Sequence, residues 1–105
     1  MSTLLTITFA LRSWSNGPKH VLIDSDIYTQ EISNFLLVER DKKTISDYHV
    51  LASYGRAMEW VKNFPSSIGC IIVVSNRDFA DDMRLIRPDL DIRKIEIGRQ
   101  KATNE

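Results

Sequence analysis

The chain has 105 residues, the size of one domain and enough to bury a core without disulfide or metal staples. Its 43% apolar and 27% charged content excludes global disorder. Fourteen acids balance fourteen bases, which removes the general electrostatic drive toward nucleic acid or an anionic membrane.

Leu5, Ile7, Phe9 and Leu11 alternate with Thr6, Thr8, Ala10 and Arg12. Period two with β-branched residues predicts a half-buried strand. The opening MSTLLTITFALRSW carries no basic leader, and Thr6 and Thr8 interrupt its apolar residues, unlike a secretory signal. No apolar run approaches the roughly 18 residues of a membrane span, so a cytoplasmic location is expected. Trp14 stands beside the turn sequence SNGP, Ser15 to Pro18, and is a candidate anchor for a protein contact.

His20 to Asp24 is apolar on consecutive positions, as in a strand covered on both faces. From Asp26 the period lengthens. Tyr28, Ile32, Phe35, Leu36 and Glu39 trace a helical stripe over residues 27–40, with Asp26 as its expected N-cap and Glu31 suiting the dipole. FLLV, Phe35 to Val38, also reads as a strand. Ile45 to Leu51 predicts a short strand, after which Ser53 is expected to cap a second helix. Ala57, Trp60, Val61 and Phe64 recur at its inner spacing, and Asn63 and Pro65 end it.

IGCIIVVS, Ile68 to Ser75, predicts a buried strand. It contains the single cysteine, Cys70, which forms no intrachain disulfide and packs as a small hydrophobe. A third helix follows, capped by Asn76 or Asp78, with Asp81 and Asp82 early and Arg84 and Arg87 late, matching its dipole. Phe79, Met83 and Ile86 form its inner stripe, and Pro88 stops it. Ile92 to Ile97 is the last predicted strand. Residues 1–98 thus form one α/β domain and 99–105 a polar tail.

Strands alternating with helices predict right-handed crossovers, and so a mostly parallel sheet of about five strands between helices on both faces. The first strand is expected to pair antiparallel through the SNGP turn or to lie at an edge. Ligands of such sheets gather at the carboxyl ends of the strands. Those ends gather Asp24, Ser25 and Asp26, then Ser75, Asn76, Arg77 and Asp78, then Gly98 and Arg99.

Asp24, Asp26 and Asp78 are candidate ligands of Mg²⁺, a hard cation that prefers oxygen, and Arg77 and Arg99 are candidate phosphate contacts. The competing reading makes the three aspartates helix caps. No other cofactor is implied. His20 and His49 flank apolar strands without a histidine partner at ligand spacing. The four glycines are isolated, so phosphate-loop and dinucleotide fingerprints are absent. Residues 84–101 carry more bases than acids; that bias suits phosphate, although solvated surface is its commoner role.

KHVLIDSD, Lys19 to Asp26, and ASYGRAMEWVKNFPSSIGCIIVV, Ala52 to Val74, resemble the front half of a response-regulator receiver domain. The resemblance implies a three-layer, flavodoxin-like sandwich. It also implies an acidic pocket at Asp24. The family's second acid is replaced by Ser25, its phosphoacceptor neighbourhood reads Val74-Ser75, and Asp78 comes three residues late. The resemblance therefore implies a degenerate receiver, not competent for phosphotransfer. Such domains work by docking a protein partner or by dimerising, and the extra N-terminal strand is free to take a sheet edge.

The resulting expectation is a non-enzymatic regulatory or adaptor module acting through protein–protein contacts. One alternative is a small metal-dependent nuclease or phosphatase built on the strand-end carboxylates. Another, on size alone, is a phage-type inhibitor or antitoxin-like protein.

Overall fold

The computed structural model describes residues 18–65 and 70–96. The expected strand at Leu5 to Leu11, Trp14, the start of the SNGP turn, and Gly98, Arg99 and the tail lie outside the described residues. The chain runs β1 (Lys19–Asp24), a single 3₁₀ turn (Ser25–Ile27), α1 (Gln30–Asp41), β2 (Asp47–Leu51), α2 (Tyr54–Lys62), β3 (Cys70–Val74), α3 (Phe79–Ile86) and β4 (Asp91–Ile95). No helix among the described residues is long and apolar enough to cross a membrane.

The strands form one sheet in the order β2-β1-β3-β4, every pair parallel. This order is compatible with a flavodoxin-like fold. The described sheet has four strands where about five were expected. β1 pairs along its length with β2 on one side and β3 on the other. No side of β1 is left for an antiparallel hairpin through the SNGP turn.

Burial follows from the pleat. Successive side chains of a strand point to opposite faces, so a strand covered on both faces is apolar at every position. Val21, Leu22 and Ile23 are all fully buried, and every residue of β3 is buried. Leu22, Ile71 and Val73 pack with Ala57, Met58 and Val61 of α2 and with Phe79, Ala80 and Met83 of α3. Val21, Ile23, Ile72 and Val74 pack with Ile32 and Leu36 of α1 in a separate cluster. Phe35 to Val38 is helical.

Three local expectations are corrected. α1 starts at Gln30, capped by Thr29, whose Oγ1 accepts the Ile32 N–H at 3.2 Å, and not by Asp26. The reason is that Tyr28 and Thr29 are extended, which interrupts helical backbone between the 3₁₀ turn and α1. Asp78 occupies the cap position of α3 but makes no side-chain cap bond. Its backbone, at φ −84° and ψ 28°, lacks the extended geometry that aims a cap side chain at the first-turn amides. Trp60 is half-buried against the rim of its cluster, and Met58 takes the fully packed position instead.

α2 is capped by Ser53 and has Asn63 as its C-cap, as the sequence predicts. Ser53 Oγ accepts the Arg56 N–H at 3.2 Å. At the other end Arg87 donates from Nη1 to the Val61 and Phe64 carbonyls at 3.1 and 2.6 Å, while Asp89 grips its other edge at 3.0 and 2.8 Å. A cation thus meets carbonyls at and just beyond the helix C-terminus, where the helix dipole is negative.

Leu22, buried at the sheet centre, sets a test of this packing. Leu22→Ala should cost about 2–5 kcal/mol in urea unfolding. Val50→Ala, on the exposed side of β2, should stay within about 0.5 kcal/mol.

Candidate functional site

β1 ends at Asp24 and β3 at Val74, and the two strands are neighbours whose onward connections leave in opposite directions, to β2 and to β4. That is the topological switch point, where open parallel sheets meet their ligands. Asp24 is only 1% exposed. An ionised carboxylate so placed is tolerated only when paired and hydrogen-bonded, and this one is filled on both oxygens.

Oδ2 accepts from Ser75 Oγ at 2.8 Å and Arg77 Nε at 2.8 Å; Oδ1 accepts from Arg77 Nη2 at 2.6 Å and from the Asp26 N–H at 3.0 Å. Ser75 is itself fully buried, and its Oγ also accepts the Arg77 N–H at 3.0 Å. The serine therefore fixes the loop that delivers the arginine. Arg77 lies over the Phe79 ring, 4.5 Å from its centroid, so one face of the guanidinium rests on the first residue of α3. Its Nη2 is 3.7 Å from Asp26 Oδ2, a looser contact to an exposed carboxylate.

Burial works against the charged form of Asp24, but the Arg77, Asp26 and Ser75 hydrogen bonds outweigh it and hold this carboxyl below its ordinary value. Its hydrogen bonds to Asp24, with the charges of Asp24 and Asp26, push Arg77 further up. Planar fork-to-carboxylate pairing is the strong, directional form of an ion pair.

The structure thus brings together Asp24, Asp26, Ser75 and Arg77 from the sequence-predicted set. Asp78 follows the arginine into α3 and takes no part in this hydrogen-bonded cluster. Arg99 and Trp14 lie outside the described residues. Among the described residues no three histidine, cysteine, aspartate or glutamate side chains are grouped to hold a metal ion, and a cation at Asp24 would have to displace Arg77. The basic residues of 84–96 bond within the fold: Arg84 to the Ile92 carbonyl and Asp81, Arg87 as above, Arg93 to Asp91, and Lys94 to Glu96.

A second feature escaped the sequence. A groove of about 1070 Å³ runs along β2, with Tyr48, His49 and Val50 in its floor, Tyr28 and Arg40 on the α1 side, and Trp60 and Phe64 on the α2 side. Trp60 stacks on Phe64 at 4.9 Å between centroids, with His49 5.1 Å from Trp60 and His20 edge-on to Phe64 at 5.0 Å. Burial lowers the His20 pKa, as does nearby His49, against an opposing pull from Asp47. The sequence places Trp60 in the inner stripe of its helix and so gives no signal for this groove.

Comparison with known proteins gives no match: no family model, no curated protein and no solved structure matches the chain.

Three expectations follow from these geometries. Ser75→Ala should cost about 1–3 kcal/mol, because a buried carboxylate loses a donor. Asp24 has a depressed folded-state pKa, so its contribution is present at neutral pH and fades as pH falls from about 5 toward the point where it takes its proton. Urea midpoints measured across that range should fall less steeply in Asp24→Asn than in the wild type. His20 shifts the opposite window: its folded pKa is lowered, so protonation below about pH 6.5 should destabilise the fold, and His20→Gln should flatten the profile between about pH 7 and 5.

Proposed function

We propose that the protein is a non-enzymatic regulatory or adaptor module that acts through protein–protein contacts. The observation that carries this reading is the saturation of Asp24. The one strand-end carboxylate at the switch point has both oxygens taken by internal donors, which leaves no free acid, base or metal ligand at that atom. An acid–base or metal-assisted hydrolase needs a carboxylate free to exchange a proton or hold a cation.

In this reading the fold is a three-layer, flavodoxin-like sandwich of receiver type. Its parallel order β2-β1-β3-β4 supports that, as do the two separate apolar clusters, one with α1 and one with α2 and α3. Arg77 supplies, from within the chain, the positive charge that a bound metal brings to a receiver's acidic pocket. Ser75 stands at the phosphoacceptor neighbourhood and is buried under that pair, so phosphotransfer is unavailable. The pair pins the loops after β1 and β3 in one arrangement. The groove along β2 is the contact surface, because it joins aromatic walls to a strand edge, and aromatic residues are enriched in interface cores.

The test pairs capture with reconstitution. A captured protein, purified and mixed with the chain, should form a stoichiometric complex by size-exclusion chromatography with light scattering. Trp60→Ala should weaken it at least tenfold while Leu85→Ala, on exposed α3 surface, leaves it unchanged. Mg²⁺- or Mn²⁺-dependent hydrolysis of a phosphate ester, abolished by Asp24→Asn, would overturn the reading in favour of a nuclease or phosphatase.

A further inference from the structure

We infer that His20 is a proton-operated latch on the aromatic wall of the β2 groove: when its ring takes up a proton, the Trp60 and Phe64 side chains move off it and the wall opens. His20 pairs in register with Asp47 of β2 on one side and with Ile71 of β3 on the other. Leu22, two residues on, lies opposite His49. Residues two apart on a strand share a face, so His20, Asp47 and His49 lie with Leu22 on the face that α2 covers.

His20 is half-buried there, and its Nδ1 is sealed from solvent with no hydrogen-bond partner. From α2, Phe64 stands edge-on to the ring at 5.0 Å and Trp60 lies tilted to it at 6.4 Å. A neutral imidazole tolerates this position, because one of its nitrogens carries no hydrogen. The imidazolium does not. Both of its nitrogens donate, so Nδ1 becomes a buried, unpaired donor on a charged ring. A cation–aromatic contact returns only part of the lost hydration. Relief requires water at Nδ1, and the rings that cover it from α2 have to give way.

The charged groups around His20 leave this balance in place. Burial is the larger force against the proton, nearby His49 also opposes it, and Asp47 favours it. Asp47 is itself engaged by the Tyr48 N–H at 2.8 Å and by Arg40 at 3.2 Å. β3 presents apolar Ile71 beside His20, and Lys19, its neighbour in β1, points to the opposite face. On α2, Glu59 and Lys62 are exposed. Arg87, paired with Asp89, holds the Val61 and Phe64 carbonyls at 3.1 and 2.6 Å. Those bonds anchor the backbone at the end of α2, so the opening is a movement of the two rings.

With the rings open, His20 takes its proton near the ordinary histidine value of about 6.5; with them closed, it does so only below that value. Closure is therefore strongest above about pH 6.5 and weakens as the pH falls below it, by up to about tenfold per pH unit. A partner that contacts the Trp60–Phe64 wall is released in that window. This consequence rests on the groove being the contact surface proposed above, whereas the latch itself does not.

A pH titration of the full 105-residue chain by nuclear magnetic resonance tests the latch. The His20 ring should titrate below about 6.5, and the Trp60 indole and Phe64 ring resonances should move with the same midpoint while the amides of residues 91–95 hold their positions. In His49→Gln the shared midpoint should rise, and in His20→Gln the ring movements should vanish from this window. In a Trp14→Phe background, acrylamide should quench Trp60 at least twofold more strongly below the midpoint than above it. A His20 midpoint at or above the ordinary value would overturn the inference, as would unchanged quenching or rings that ignore the His20 titration. Amides of 91–95 that move with His20 would also overturn it, because they report global unfolding. The wild-type titration decides the matter even where a variant does not fold. A chain that captures no partner still shows this titration, so the two readings fail separately.

Discussion

A charged carboxylate at 1% exposure is expensive to hold, and the arrangement of the carboxyl edge follows from the need to hold Asp24. The parallel register of β1 on β3 places Asp24 beside the residue after Val74, and that residue is Ser75, whose hydroxyl both donates to the carboxylate and fixes the next turn. The turn presents Arg77 edge-on, and Phe79 supports it from below as α3 begins. Removal of one partner from such a buried pair leaves the other charge uncompensated, which costs more than the pair itself contributes. The ion pair is thus better understood as fixing one loop arrangement than as a net source of stability.

Filling the switch point from within changes what the fold offers to other molecules. The place where an open parallel sheet ordinarily meets a ligand is occupied by the chain's own arginine. Among the described residues, outward-facing features include the groove at β2, the aromatic stack of Trp60 and Phe64, and exposed Val50. The function proposed above assigns recognition to these outward-facing features.

Much of this fold was legible in the sequence where periodicity is strong. β3 reads as buried because five consecutive apolar residues are covered on both faces. α2 and α3 read from stripes at three and four, and Ser53 from its place before the first of them. The start of α1 did not, because Asp26 and Thr29 both have cap chemistry, and the choice depends on the extended backbone at Tyr28 and Thr29. Asp24 was legible as a strand-end acid, but its partner was not. Arg77 lies 53 residues away, and nothing in local pattern distinguishes an arginine that reaches back into the sheet from one that faces solvent. The β2 groove was hidden for a similar reason: Trp60 fits a core stripe, and only the packed structure shows it stopping at the rim.

The titration of the Asp24 side chain, followed through its carboxyl ¹³C resonance with and without Mg²⁺, bears most directly on the claim that this carboxylate is committed to Arg77. The account predicts a transition below the ordinary carboxylate range that returns toward it in Arg77→Gln, and no response to millimolar Mg²⁺. A transition in the ordinary range, or a shift of the resonance on adding Mg²⁺, would contradict it.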